Sequence, residues 1–224
     1  NSILSGGDQG AVVVEGTLDA TGTTGGDIEV TGQYVQVLDG AVIDASGANG
    51  GGTVHFGGEY QGGGDTPTSE YAYIDQNAIL RANAEEEGDG GEVIVWSDKG
   101  TGVYGDIEAK GGANGGNGGF VEISSLEFYD YRGSVDTSAA NGETGTFLLD
   151  PRDILIRGGT GDGDDVDSAN ANNLGSTADG ANGLIAYATA NLEPFLITEQ
   201  EIEQESTLNN IIIQARRNIT TQTG

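Results

Sequence analysis

Two short sequence units recur in one shared register, and that register constrains the fold more than any other feature of the chain. The first unit is Gly-Gly-x-(Val/Ile)-x-(Val/Ile/Phe). It occurs at Gly25–Val30, Gly51–Phe56, Gly90–Val95 and Gly118–Ile123, with a degenerate copy at Thr144–Leu149. Gly26, Gly52, Gly91, Gly119 and Gly145 mark it at intervals of 26, 39, 28 and 26 residues. The second unit reads Leu18-Asp-Ala-Thr-Gly22, Ile43-Asp-Ala-Ser-Gly47, Leu80-Arg-Ala-Asn-Ala84, Ile107-Glu-Ala-Lys-Gly111 and Val135-Asp-Thr-Ser-Ala139, at intervals of 25, 37, 27 and 28. The long interval is the same one in both series. One repeat therefore carries an insertion, placed here at Tyr60–Tyr73 around Gly62-Gly-Gly-Asp-Thr-Pro67.

Each unit has strand chemistry: apolar and polar residues alternate over short runs bounded by Gly, Asn, Asp and Ser. A unit of about 26 residues cannot bury its apolar face alone, but copies stacked on one another can. Leu, Ile, Val and Phe make only 49 of the 224 residues, against a formal charge of −28. That composition borders on disorder unless the apolar residues are placed regularly. Regular stacking supplies the placement, because a stack of coils needs only a thin core. The expectation is an all-β, right-handed parallel β-helix (β-solenoid). At roughly 4.8 Å per coil it would have about eight coils and a length on the order of 40 Å. An antiparallel sandwich and disorder are the alternatives, and neither explains a shared register. Ala20, Ala45, Ala82 and Ala109 fall where small residues suit tight corners.

The first unit of organisation is 1–157, solenoid coils with the insertion near 60–73. The second, 158–224, continues the coils with a Gly/Asp-rich loop and one short helix at 199–206. Thr198 and Glu201 form a capping box for that helix. Strands are expected at Leu184–Tyr187, Phe195–Thr198, Asn210–Ala215 and Asn218–Thr221.

Charge and composition exclude several function classes. Eight Lys and Arg oppose 36 Asp and Glu, so the chain has no footprint for nucleic acid. No run of about 18 apolar residues exists to span a membrane. The chain has no Cys, which suits export in an unfolded state. Asn1 follows no initiator Met or signal peptide, so a processed product or fragment is expected.

Further along, the segments Gly90-Gly-Glu-Val-Ile-Val-Trp-Ser-Asp98, Gly105-Asp-Ile-Glu-Ala-Lys-Gly-Gly112, Gly115-Gly-Asn-Gly-Gly-Phe-Val-Glu-Ile-Ser124 and Thr146-Phe-Leu-Leu-Asp-Pro-Arg-Asp-Ile-Leu-Ile156 resemble filamentous-haemagglutinin-like exoproteins of the two-partner secretion route, in particular cyanobacterial members. The resemblance covers roughly residues 17–224. It implies a right-handed parallel β-helix, export through a partner outer-membrane transporter, and a place outside or on the surface of a Gram-negative bacterium, a cyanobacterium by the nearest likeness. It also implies adhesion or matrix roles. The family's secretion motifs find no match near Asn1, so the chain resembles the repeat portion.

Candidate sites are few. His55 is the only histidine and alternates outward between Val54 and Phe56; no Ser, Cys or carboxylate is specifically spaced to partner it. Asp19, Asp44, Glu108 and Asp136 form an outward row interrupted by Arg81, read as a solvated edge rather than a catalytic groove of paired carboxylates. Asp162, Asp164, Asp165 and Asp167 place oxygen ligands close together, as Ca²⁺ accepts, although EF-hand spacing is not met. Tyr60, Tyr71 and Tyr73 lie in or beside the insertion and make it the candidate contact loop, since insertions in solenoids map to one face. Phe120, Phe128, Tyr129 and Tyr131, with Trp96, are read mainly as core cover. No cofactor is expected beyond Ca²⁺.

The resulting expectation is a secreted, non-enzymatic β-solenoid, acting as a surface adhesin or an extracellular structural element. Its expected partners are the transporter, cell-surface or matrix glycans, and a second copy of itself stacked head-to-tail into a filament. A polysaccharide lyase or hydrolase on the same fold and a Ca²⁺-dependent binding module are the competing classes.

Overall fold

In the computed structural model the described residues are 1–158, 195–198, 202 and 205–223. The chain winds through three short strands per coil. The first coil holds β1 (Ser2–Ser5), β2 (Ala11–Val14) and β3 (Thr17–Asp19). The second holds β4 (Asp27–Thr31), β5 (Tyr34–Val37) and β6 (Val42–Asp44). The third holds β7 (Thr53–Phe56), β8 (Tyr71–Ile74) and β9 (Ile79–Arg81). The fourth holds β10 (Glu92–Val95), β11 (Gly100–Val103) and β12 (Asp106–Glu108), and the fifth β13 (Phe120–Ser124), β14 (Phe128–Tyr131) and β15 (Ser134–Asp136). β16 (Thr146–Asp150) and β17 (Asp153–Gly158) open the next coil. β18 (Phe195–Thr198), β19 (Asn210–Ile213) and β20 (Asn218–Thr223) follow.

Every pairing among these strands is parallel, and each strand meets its counterpart one coil away. The first sheet runs β1-β4-β7-β10-β13-β16-β19, the second β14-β11-β8-β5-β2, and the third β15-β12-β9-β6-β3. This is a parallel β-solenoid, as the repeat register requires. The first sheet holds seven stacked strands among the described residues.

The core is a set of ladders. Ile28, Val54, Val93, Val121 and Phe147 stack in one column of the first sheet, and Val30, Phe56, Val95, Ile123 and Leu149 in the other. All ten are essentially inaccessible. Ile43, Leu80, Ile107 and Val135 supply the third sheet's column. Burying like shapes in register lets β-branched side chains nest at interior density.

The corner between the third and first sheets explains the Gly-Gly pairs. Gly26, Gly52, Gly91, Gly119 and Gly145 donate their amides to the carbonyls of Ala20, Ala45, Ala82, Ala109 and Thr137, at 2.7–2.8 Å. The same glycines lie against one another. A Cβ on Gly91 would collide with the Gly52 carbonyl, one on Gly119 with that of Gly91, and one on Gly145 with that of Gly119. The preceding glycines are equally confined: a Cβ on Gly51 would strike the Ala82 carbonyl, and one on Gly90 the Ala109 carbonyl. Glycine is required here by close backbone approach rather than by an unusual φ.

The later residues rejoin the stack out of order. β19 pairs with β16 and so extends the first sheet. β18, β17 and β20 form a separate three-stranded sheet in that order, with β17 in the middle. Asn209 covers the outer edge of β15: its amide donates to the Val135 carbonyl (2.8 Å) and its oxygen accepts from the Thr137 amide (2.9 Å). Of the helix expected at 199–206, Ile202 and Glu205 are described and both are helical. Ser206, whose amide donates to the Ile202 carbonyl (2.9 Å), already lies in the turn that follows. Residues 199–201, 203 and 204 lie outside the described residues, as do the strand expected at Leu184–Tyr187 and the Gly/Asp-rich loop after Gly158. The strand expected at Asn210–Ala215 ends at Ile213, and that at Asn218–Thr221 runs on to Thr223.

Replacing Gly91 by Ala is expected to lower the unfolding free energy by about 1–3 kcal/mol, the usual cost of overpacking. Gly16→Ala, where an added methyl meets nothing within 4 Å, should change it by less than about 0.5 kcal/mol. Urea unfolding of the two variants checks this, and equal effects would refute the corner argument.

Candidate functional site: the strapped outer face of the first sheet

Strand alternation places Glu29, His55, Ile94, Glu122, Leu148 and Ile212 in one outward column of the first sheet. On a bare solenoid such a column would be solvated. Here Ile94, Glu122 and Leu148 are 1%, 0% and 2% exposed, whereas Ile212 at the end of the sheet is 43% exposed.

The insertion accounts for this. Residues 57–70 leave the first sheet after β7, fold back over its outer face and return to start β8. The Ser69 amide donates to the Gly57 carbonyl (2.7 Å) and closes the strap at its base. Its glycines lie directly on the Trp96 indole: a Cβ on Gly58 would come within 2.8 Å of the ring, and one on Gly62 would collide with it. Gly62 also adopts φ +66°, open to glycine at no cost. Trp96, 1% exposed, donates its ring N–H to Asp98 (3.3 Å), whose other oxygen accepts from Thr68 Oγ1 of the strap (2.7 Å). The Glu59 carboxylate accepts the Thr66 amide (2.9 Å), which folds the tip.

Beyond the tip, residues from the far end of the chain complete the arrangement. Gln61 Nε2 donates to Gln214 Oε1 (3.3 Å), and Arg216 donates to the Gln61 carbonyl (3.4 Å). The Arg216 guanidinium lies 4.9 Å from the centre of the Trp96 ring, a cation–π contact. The Gln61 amide points at both carboxylate oxygens of Glu122, 3.2 Å from each, and Ser124 Oγ donates to Glu122 at 2.6 Å. Burial pushes the Glu122 carboxyl up to about 7, against the lowering pull of these two hydrogen bonds; the charges of Asp150 and Glu92 push the same way as burial.

The three candidate tyrosines do not converge. Tyr60 sits on the strap, 50% exposed, with its ring 5.9 Å from Phe120. Tyr71 and Tyr73 belong to β8, not to the insertion, and stand on the outer face of the second sheet. Tyr71 stacks on Tyr34 one coil away (5.3 Å, 8° between planes), and Tyr73, 7% exposed, lies against Tyr104 (5.3 Å). Tyr71-Ala72-Tyr73-Ile74 aligns with Tyr34-Val35-Gln36-Val37 in the ladder. That alignment is the signal that ends the insertion at 70 rather than 73. Tyr129, 3% exposed, lies in the core with Tyr131 packed against it, while Phe128 and Phe120 occupy outward positions.

His55 does have a carboxylate partner. Its Nε2 lies 3.0 Å from Glu92 Oε1 on the neighbouring strand. A separation of 37 positions conceals the pair in the sequence, but β7 and β10 are adjacent. The hydrogen bond to Glu92 raises the His55 pKa; burial opposes it, and the charges of Glu92, Glu59 and Glu29 add to it. In the outward row of the third sheet, Arg81 Nε pairs with Asp44 at 2.9 Å. Asp19, Asp44 and Asp136 each accept the amide two residues on, from Thr21, Ser46 and Ser138. The row thus caps the corner turns.

Asp162, Asp164, Asp165 and Asp167 lie outside the described residues. Among the described residues no group of three or more His, Asp or Glu is arranged to hold a metal ion, and no helix is long and apolar enough to cross a membrane.

No protein-family model matches the chain, and no curated protein matches it. Among solved structures it is similar to the HMW1 secretion domain from Haemophilus influenzae, at 29% identity over 66% of this chain with a TM-score of 0.54. The chain spans 38% of the length of that domain. The similarity is to a secretion domain; it supports the two-partner secretion resemblance in its coarse form, whereas the sequence motifs alone point to the repeat portion.

The His55–Glu92 pair predicts a titration. Because the folded-state pKa is raised, the pair stabilises the fold at low pH and that contribution fades as pH rises through the raised value. The single imidazole signal in a proton NMR titration should have its midpoint above 6.5, and Glu92→Gln should move it down. A midpoint unchanged by Glu92→Gln would refute the pairing.

Proposed function

We propose that this chain is part of a secreted, non-enzymatic β-helix rod of a Gram-negative bacterium. On this reading a partner outer-membrane transporter exports it, and it serves outside the cell as an adhesin or structural element. The observation that carries the reading is the three-sheet parallel stack together with its likeness to the HMW1 secretion domain. The absence of Cys and the acidic surface suit a chain that crosses membranes unfolded and stays soluble outside. The rod's work is geometric: continuous ladders stiffen it, and its outer faces carry what it presents. The strap around Tyr60 and the tyrosine ladder of the second sheet are two separate presenting faces, either of which offers aromatic rings to glycans of a surface or matrix.

Antibodies raised against residues 57–70 should label intact cells of the producing bacterium, and protease added outside should remove the label. An epitope reached only after lysis would overturn the proposal. Incubation with acidic polysaccharides should leave their length unchanged, and cleavage would move the protein to the lyase or hydrolase class.

A further inference from the structure

The strap covers a carboxyl group, that of Glu122, to which no described residue serves as counter-ion. Glu122 is fully buried, and among the described residues no Lys, Arg or His forms an ion pair with it. Its hydrogen-bond partners are one backbone amide from the strap, Gln61, and one hydroxyl from its own strand, Ser124. The charged groups acting on it from neighbouring strands are acidic: Glu92 on β10 and Asp150 on β16. On the core side Tyr129 of β14 feels the charge of Glu122. Arg216, which shares the Gln61 contact, is engaged elsewhere: it faces the Trp96 ring, donates to the Gln61 carbonyl and acts on Asp150. Glu59 of the strap and His55 of β7 influence each other beside this cluster.

A buried carboxylate so placed is costly when ionised, because two neutral donors do not replace a hydration shell. Water could reach the carboxylate if the strap that supplies the Gln61 amide rose from the sheet. The strap is closed at its base by the Ser69–Gly57 bond, with Gly57 and Ser69 held in the ladder by the Val30 carbonyl and the Asp98 amide, and it rests on the indole through glycines that contribute no side chain. The bonds it sheds on rising are those of Thr68 to Asp98 and of Gln61 to Gln214, Arg216 and Glu122.

We infer that residues 57–70 are a proton-operated cover, docked on Trp96 and Glu122 while Glu122 carries its proton and released from both when Glu122 ionises. The inference rests on the strap's geometry and is independent of the proposed secretion and adhesion. Released, the strap would uncover the Trp96 indole, which is buried while the strap is docked. Docking stabilises the protonated carboxyl, so the cover is firm at low pH and loosens as pH rises from the exposed-state value through the docked-state value. With the carboxyl at about 7 when docked and its ordinary 4.5 when exposed, docking weakens roughly thirtyfold between pH 5.5 and 8.5.

Trp96 is the only tryptophan, so its fluorescence reports the cover directly. Titrating residues 1–224 from pH 4 to 9 at constant ionic strength should shift the emission reversibly to longer wavelength, with a midpoint between the exposed-state 4.5 and the docked-state value of about 7. Glu122→Gln keeps the shape of the side chain without its charge and should hold the emission at the short-wavelength value throughout. Gly62→Ala, which puts a methyl into the indole, should give the long-wavelength value already at pH 5. A wild-type emission that does not change, or a transition that persists in Glu122→Gln and disappears in His55→Asn, overturns the inference. A separate readout needs no variant: protection of the Gln61 amide against hydrogen exchange, corrected for intrinsic rate, should fall roughly thirtyfold from pH 5.5 to 8.5. Equal protection at the two values would also overturn it.

Discussion

The backbone-to-backbone contact at the Gly-Gly corner is the constraint on which the rest of the stack depends. Each coil turns from the third sheet into the first through a glycine whose amide is tied to the carbonyl of a corner Ala or Thr and whose Cα lies against the glycine of the preceding coil. Any side chain there would push neighbouring coils apart by more than a strand hydrogen bond tolerates. With the corner closed, strand register follows coil after coil. The narrow cavity between the three sheets is then filled mainly by one apolar residue per inward position, with Thr101 of β11 a buried polar member bonded to Ser97 and to the Ser124 carbonyl. That explains how so acidic a chain with so few large apolar residues folds at all.

Parallel stacking imposes a second constraint: whatever occupies an outward position meets its own counterpart one coil away. Repeated acids at the ends of β3, β6, β12 and β15 would face one another. They are accommodated because three of the Asp side chains turn back to cap their own corners, and Arg81 enters the row beside Asp44. In the fourth coil Glu108 instead accepts from the Asn83 side chain (2.7 Å), and Asn83 in turn accepts the Lys110 amide (2.8 Å). Repulsion is thereby spent locally and screened by solvent rather than summed along the rod.

Much of this was legible in the sequence, and the failures are instructive. The shared register of Gly-Gly pairs and Ala corners gave the stacking and the inward columns, because both are periodic. The local sequence places Tyr71 and Tyr73 in or beside the insertion, because it runs on from a glycine-rich loop without a break; alignment to Tyr34 and Gln36 separates them. His55 has no spaced partner in the sequence because Glu92 stands on the far side of the insertion. Glu122 alternates outward with its strand, and nothing in its local sequence marks it. Its burial depends on where the insertion folds, which no local pattern states. A trace of it was nevertheless present: Val93-Ile94-Val95 and Phe147-Leu148-Leu149 are apolar in both phases of the alternation, which a one-sided strand does not need. The order β18-β17-β20 left no periodic sign.

The strap's outermost bonds join residues more than 150 positions apart, Gln61 to Gln214 and to Arg216. Coils one to five make nearly all their pairings with the coil just before or after, so they can assemble in the order in which the chain becomes available. The strap cannot. It leaves the third coil early, waits for β10 and β13 to build the surface it lies on, and reaches its last partners only when the segment after β19 is in place. A loop encoded in the middle of the chain is therefore fastened last. Its fastening reports that the coils on either side of Glu122 have been laid down in register.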